Sequence, residues 1–513
     1  MSTVPDNTAL LLLLVALGIV VWGYFRSRPY GQMGLLSWLQ SVILVAPWLL
    51  VFGLTIVGIF LNSTLILALF LASVGFYIIL GRRIRQLANQ VPPEDASHPH
   101  QSLSTHTSEP EKSLVQDTES ETASEHATAQ SPGPEATHFT SRANPVPPED
   151  LKLIQTIFGV GTFFATETLP YQEGIIFKGN LLGDAEAVYE QLSQRLSKVV
   201  GDRYRLFFVT DPMDKPVVIV LPHKTDPQPA TLPQKVLAVI LILVTIATTF
   251  EAAGILLGFD FFTEPMRYPE VMPIALGVIS ILTIHEVAHQ VVARQHDVRF
   301  GWPFFIPIIQ IGTFGAFNRF ESLIPNRRVL FDVAVAGPAA GGLTSLALLS
   351  VGLVLSGDTS PFQISSDFFQ SSVLVGVLAK MTLGSALTQP IVGIHPLAII
   401  GWLGLVINMI NLMPAGILDG GRMMQAIYGR KIARRSTLVT FVVLVLASFV
   451  NPVALYWTVV ILILQRNLER PCLNELSEPD DARAVLGLLV FFLMVSALFP
   501  LTPGLALRLG IGG

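Results

Sequence analysis

The stretch VMPIALGVISILTIHEVAHQVVA, residues 271–293, decides how the chain is read. As a helix rising about 1.5 Å per residue it reaches roughly 34 Å, enough to cross a hydrocarbon core of about 30 Å. Its only ionisable groups are His285, Glu286 and His289, which spell HEVAH. Such groups are expensive inside an apolar span and functional by default. Residues i and i+4 lie on one helix face, so both imidazoles can meet one ion. Glu286 stands beside the first of them, placed to act as a general base.

The remaining composition agrees with a membrane setting. Of the 513 residues, 51% are hydrophobic and 13% charged, and the mean hydropathy is +0.58. That charged share is about half the usual value for soluble proteins, which excludes an ordinary cytosolic enzyme. A net charge of −5 offers nothing to nucleic acid. One cysteine, Cys472, allows neither a disulfide framework nor a thiolate zinc site, so a metal must be held by His and carboxylate.

Apolar segments at 9–25, 39–61 and 64–80, then at 236–258, 271–293, 329–355, 395–413, 436–465 and 484–499, predict an α-helical polytopic membrane protein with about 8–10 transmembrane helices. Basic residues flank 436–465 on both sides, and Asn451-Pro452 lies near its middle, so it reads as a hairpin of two short helices. Asp6 precedes the first segment and no Lys or Arg does, so 9–25 reads as a retained helix rather than a signal peptide. Arg26 and Arg28, then Arg82, Arg83 and Arg85, place those loops on the cytoplasmic side.

Five parts follow. An N-terminal membrane region covers 1–86. Residues 87–147, with nine acidic, two basic and eight proline residues, read as a disordered linker. Its histidines, His98, His100, His106, His126 and His138, are too irregularly spaced for a metal site. A small soluble α/β domain is expected at 148–225, with strands at 174–181, 204–211 and 215–222 and a helix at 184–200 whose apolar positions fall at 185, 188, 192, 196 and 199. The catalytic core is expected at 235–430 and C-terminal transmembrane helices at 431–513.

Two histidines leave a zinc site short of a third protein ligand. His296 is seven residues beyond His289, in the polar flank. NLMPAGILDGGR, residues 411–422, offers Asp419 beside the Gly420-Gly421 pair. Alone, LDGG is a common turn; beside a membrane-embedded HExxH it is a candidate ligand. His285 lies about 14 residues, or roughly 21 Å, into its span, in the half near the cytoplasm. Two further crossings bring Asp419 back to the same depth.

HEVAH on a transmembrane helix together with NLMPAGILDGGR resembles the site-2 protease family of intramembrane zinc metalloproteases. GTFGAF at 312–317 resembles that family's glycine-containing β-hairpin, and AGPAAGG at 336–342 its small-residue helix. KGNLLGD at 178–184 and the extra helices are most similar to the cyanobacterial and chloroplast EGY-type branch. The resemblance covers about 150–425. It implies one Zn2+ bound by His285, His289 and Asp419, with Glu286 as general base. It also implies that Asn411 holds the substrate carbonyl and that the hairpin residues Gly312, Gly315 and Phe317 receive the substrate as an added strand. The implied partners are transmembrane protein substrates and the lipid bilayer, in a plasma or thylakoid membrane, with the site facing the cytoplasm or stroma. A metal-ion or proton-coupled transporter is the competing reading, but it should carry internal repeats with matching broken helices, and none is evident. Retention of all four site residues argues against an inactive relative. Glu251 either faces a watery cavity, is protonated, or lies near an interface; Asp332 and Asn326–Arg328 read as interface anchors, and His395 as interfacial.

Overall fold

The computed structural model describes residues 146–448 apart from 172 and 212, residues 468–511, and parts of 20–83 and 454–461. Most of the 9–25 helix, the linker with its five histidines, and the Asn451-Pro452 break lie outside the described residues. The chain forms two compact units, 1–141 with 448–452, and the remainder. In the first, α1 (Gly31–Ile56) is joined to the following apolar segment by Ser73 Oγ, which donates to Ile43 O.

The second unit opens with a small sheet domain. A short helix, α2 (Pro148–Gln155), leads into β1 (Phe163–Tyr171), β2 (Gly174–Leu181), α3 (Ala185–Val200), β3 (Tyr204–Thr210) and β4 (Pro216–Pro222). All pairings are antiparallel and the order is β1-β2-β4-β3. Asp184 caps α3, accepting from the N–H groups of Glu186 and Ala187. Val188, Leu192, Leu196 and Val200 recur every four residues and bury against Phe163, Phe177 and Phe208. Burial and a hydrogen bond to Asp150 push the Tyr204 phenol up to about 12. The expected helix and three strands are present, and β1 is an additional strand.

The outer edge of β3 is covered from far along the chain. Phe208 N–H donates to Leu473 O, and Glu475 N–H donates to Phe208 O. Leu473 N–H donates in turn to Ile324 O, so the 473–475 segment fastens the sheet to the helical part.

That part contains α4 (Leu232–Leu256), α5 (Tyr268–Gln295), the hairpin of β5 (Phe304–Ile308) and β6 (Gly312–Phe317), and α6 (Arg327–Val354). A second hairpin pairs β7 (Phe362–Ser365) with β8 (Ile391–Ile394) around α7 (Val373–Leu383). After it come α8 (Pro396–Asn411), α9 (Asp419–Ala447), α10 (Asp481–Leu498) and α11 (Pro503–Leu509). Among the described residues, four helices are long and apolar enough to cross a membrane: α4, α5, α6 and α10.

Several expectations change. The hairpin expected at 312–317 spans 304–317, and GTFGAF is only its second strand. Helix α9 starts at Asp419, well before 436, so the basic run read as a flank is itself helical beyond a break at Gly429, whose φ is +77°. Asp332 is ion-paired within the fold: Arg483 clasps its two oxygens at 2.7 Å each, and His296 lies 3.4 Å away. Glu251 is buried and accepts from the Phe262 N–H, holding the turn after α4. Asn326 caps α6 and His395 caps α8.

Helix α6 is central, packed against α5, α8 and α9. Small residues permit this approach. A Cβ on Gly401 would stand 2.2 Å from Leu349 N, and one on Gly352 would stand 2.0 Å from Ala398 N. Gly401→Val should therefore force α6 and α8 apart and cost about 1–3 kcal/mol or more. The check is the thermal midpoint in detergent, which should fall for Gly401→Val and stay put for Gly357→Ala, whose Cβ would meet open space.

Candidate metal centre

His285 and His289 lie one turn apart on α5, and Asp419 is the first residue of α9. The His285 and His289 Nε2 atoms are 3.1 Å apart, and Asp419 Oδ2 lies 3.3 Å from the first and 3.4 Å from the second. All three side chains are buried. Four ligands at about 2.0–2.1 Å around a tetrahedral zinc ion stand about 3.3 Å from one another, so this triangle has the edge lengths of such a site.

The hydrogen bonds place a hydrogen on each Nδ1. His289 Nδ1 is 2.7 Å from Val333 O, a pure acceptor, so Nδ1 donates. His285 Nδ1 is 2.8 Å from Asn408 Oδ1, and Asn408 Nδ2 donates to Gly404 O, which leaves the oxygen to accept from His285. In the neutral rings Nε2 is then the acceptor, so two Nε2 atoms and a carboxylate oxygen converge within 3.4 Å of one another, a donor set that fits a divalent ion.

Space for the ion comes from α6. A Cβ on Gly337 would stand 2.2 Å from His289 Nε2 and 2.7 Å from His285 Nε2. A Cβ on Gly341 would stand 2.5 Å from Asn408 Oδ1. The AGPAAGG run therefore presents bare backbone to the site.

Glu286 is partly buried. Its Oε1 lies 4.0 Å from His285 Nε2, and its Oε2 accepts from Asn318 Nδ2 at 2.6 Å. Arg422, 2% exposed, donates to Asn318 O and to Glu469, and its guanidinium comes within 3.9 Å of Asp419 Oδ1. Phe300 and Phe320 lie beneath it.

Asn411, at the end of α8, is buried and donates to Ile407 O. Its amide rests on Gly315 of β6, where a Cβ would stand 2.2 Å from Asn411 Nδ2. Gly315 has φ +99° and Gly312 φ +87°, backbone that favours glycine. Gly312 lies against Thr249 of α4, and Thr248 Oγ1 donates to Gly312 O. Phe317 pairs with Phe304 and packs beside the cluster of Phe314, Ile410, Met413 and Trp457. The structure thus joins His285, Glu286, His289 and Asp419 in one group and sets Asn411 on the hairpin.

Sequence reasoning missed Asn408, Asn318 and Arg422. A signal for Asn408 existed, since two asparagines three apart in the apolar α8 need partners. None marked Asn318.

Asn408→Leu should lower metal affinity about 10- to 100-fold by freeing the His285 ring. Gly337→Ala should leave the purified chain without stoichiometric zinc. Elemental analysis with chelator competition reads both, and wild-type affinity in Asn408→Leu would remove the orienting role.

Comparisons with known proteins agree with this chemistry. Residues 273–450 match the model of peptidase family M50, and residues 152–229 match the EGY3 middle domain. A probable zinc metalloprotease, EGY1, chloroplastic, of Arabidopsis thaliana is 37% identical over 406 residues, covering 72% of this chain and 74% of the relative. The corresponding EGY2 protein of the same plant is 38% identical over 69% of this chain and 65% of its own length. EGY3 of Oryza sativa subsp. japonica is 29% identical over 68% of this chain and 64% of its own length. No solved structure matches the chain.

Proposed function

The chain belongs to peptidase family M50, in the branch of the EGY zinc metalloproteases, and we propose that it cuts membrane-anchored proteins within or near the bilayer. It is a zinc metalloprotease; the intramembrane substrate and the residue roles are our reading. The observation that carries the reading is the pair of imidazole Nε2 atoms 3.1 Å apart, closed into a triangle by Asp419.

In this reading His285, His289 and Asp419 hold the ion. Zinc, when bound, lowers the pKa of its water toward 7 and polarises the scissile carbonyl. Glu286 takes the proton at Oε1, the oxygen turned toward His285, and passes it to the leaving amine nitrogen. Asn411 keeps a second amide N–H for the substrate carbonyl, because Nδ2 has two and, among the described residues, Ile407 O engages one. A peptide bond in a helix is shielded by its own hydrogen bonds, so the substrate unwinds locally. The β6 strand, held against Asn411 at Gly315, then accepts it as an extended segment.

The named relatives are chloroplastic, which supports a plastid-type membrane such as the thylakoid. Arg430, Lys431, Arg434 and Arg435, on the helix that Asp419 begins, favour a centre on the stromal or cytoplasmic side. A transporter is not favoured, since the site is asymmetric.

The test is cleavage of a labelled single-span substrate in detergent. Glu286→Gln should lose about 10²- to 10⁴-fold in rate while keeping its zinc. A chelator should stop the unaltered enzyme and added zinc should restore it. Full activity in Glu286→Gln would end the general-base assignment.

A further inference from the structure

We propose that Asn318 is the positioning residue for Glu286, a proposal that rests on the reading of Glu286 as general base. Asn318 Nδ2 grips Oε2 of Glu286 at 2.6 Å, which leaves Oε1 as the oxygen turned toward His285 Nε2. A carboxylate only accepts, so the amide must present its N–H₂ to Glu286 and turn Oδ1 away. The opposite flip would set two oxygens against each other.

The surroundings of Asn318 agree with this role. Asn318 is 5% exposed, and its Oδ1 is buried with no hydrogen-bond partner among the described residues. Most buried amides have both ends bonded. Here the side chain's one bond is to Glu286, and an acceptor goes without a partner beside it.

The backbone of Asn318 is fixed as firmly as its side chain. Its carbonyl accepts from Arg422 Nη2 at 2.5 Å, and Arg422 is held by Glu469 at 3.0 and 2.9 Å. The same guanidinium lies 3.9 Å from Asp419 Oδ1. Arg422 therefore ties the residue that orients the base to the helix turn that carries the third metal-binding side chain. Asn318 also follows directly on β6, Gly312–Phe317, so the hairpin that receives substrate carries the group that aims the carboxylate. A rigid carboxylate is aimed at its proton in advance of each turnover, whereas a free one must find its rotamer.

The experiment uses the full chain in dodecylmaltoside with a fluorophore-labelled single-span peptide that the unaltered enzyme cleaves. Asn318→Asp keeps the size of the side chain but replaces the donor with an oxygen, and Asn318→Leu removes both polar atoms. Each should lower kcat about 10- to 100-fold, with KM within about twofold and zinc still one per chain. Combined with Glu286→Gln, neither should add a further loss, because both act on one group. Asn318→Asp at the unaltered kcat overturns the proposal, and so does a loss that follows zinc content or falls on KM alone. Asn318→Asp remains the deciding variant if Asn318→Leu does not fold. Failure here with Glu286→Gln still inactive leaves the general base standing, whereas an active Glu286→Gln removes the base itself.

Discussion

Two imidazole Nε2 atoms 3.1 Å apart are the constraint that the helical part of this chain is built around. Each ring has its Nδ1 hydrogen committed, one to Val333 O and one to Asn408 Oδ1, so neither can relieve the contact by turning. Four helices set that geometry. Helix α5 carries the rings, α6 supplies Val333 O and the bare Gly337, α8 supplies Asn408, and α9 supplies Asp419. A shift of one helix by a single residue turns it by about 100° and slides it about 1.5 Å. No such shift leaves all four contributions in place.

The close approach of these helices follows from the same demand. Glycines at 337, 341, 352 and 401 sit where a Cβ would enter a neighbouring backbone or a site side chain. The chain between α8 and α9 is irregular, yet its groups are satisfied locally. Met413 N–H donates to Ile410 O, Leu418 N–H to Ala415 O, and Gly416 N–H to the Thr437 hydroxyl. Non-helical backbone inside a bundle needs such partners, and with them the turn can deliver Asp419 to the histidines.

The parts of this design that show in the sequence are those where a residue type contradicts its surroundings. His285, Glu286 and His289 stand out because the span around them is apolar, and Asp419 because LDGG ends another apolar run. Amphipathic spacing likewise exposed α3 and its flanking strands. Other features leave no such contrast. FFATETLPY has no clean alternation, so β1 is hidden, and residues 356–395 lack a long apolar run, so α7 and the β7–β8 hairpin were not read. Asn318, Arg422 and Asp332 look like ordinary loop or helix-flank polar residues. Their roles come from partners 32, 104 and 151 positions away, a relation that only the fold creates.

The proposed mechanism asks that the hairpin strand be held firmly enough to stand in a helical bundle and loosely enough to accept another. Gly312 O accepts from Thr248 of α4, Thr313 Oγ1 donates to Ile306 O, and Gly315 N–H donates back to Thr313 Oγ1. Of the threonines on the helix opposite, Thr248 reaches the strand, while Thr249 Oγ1 donates back to Thr245 O within the helix. A backbone N–H held by a neighbouring hydroxyl can exchange that bond for a peptide carbonyl at little net cost, since one hydrogen bond replaces another. A strand fully paired on both edges has no bond of that kind to exchange. In the proposed mechanism Thr248 and Thr313 keep β6 satisfied between turnovers. The positive-φ glycines leave its surface bare, and Asn411 waits on Gly315 at the point where an incoming carbonyl has to be held.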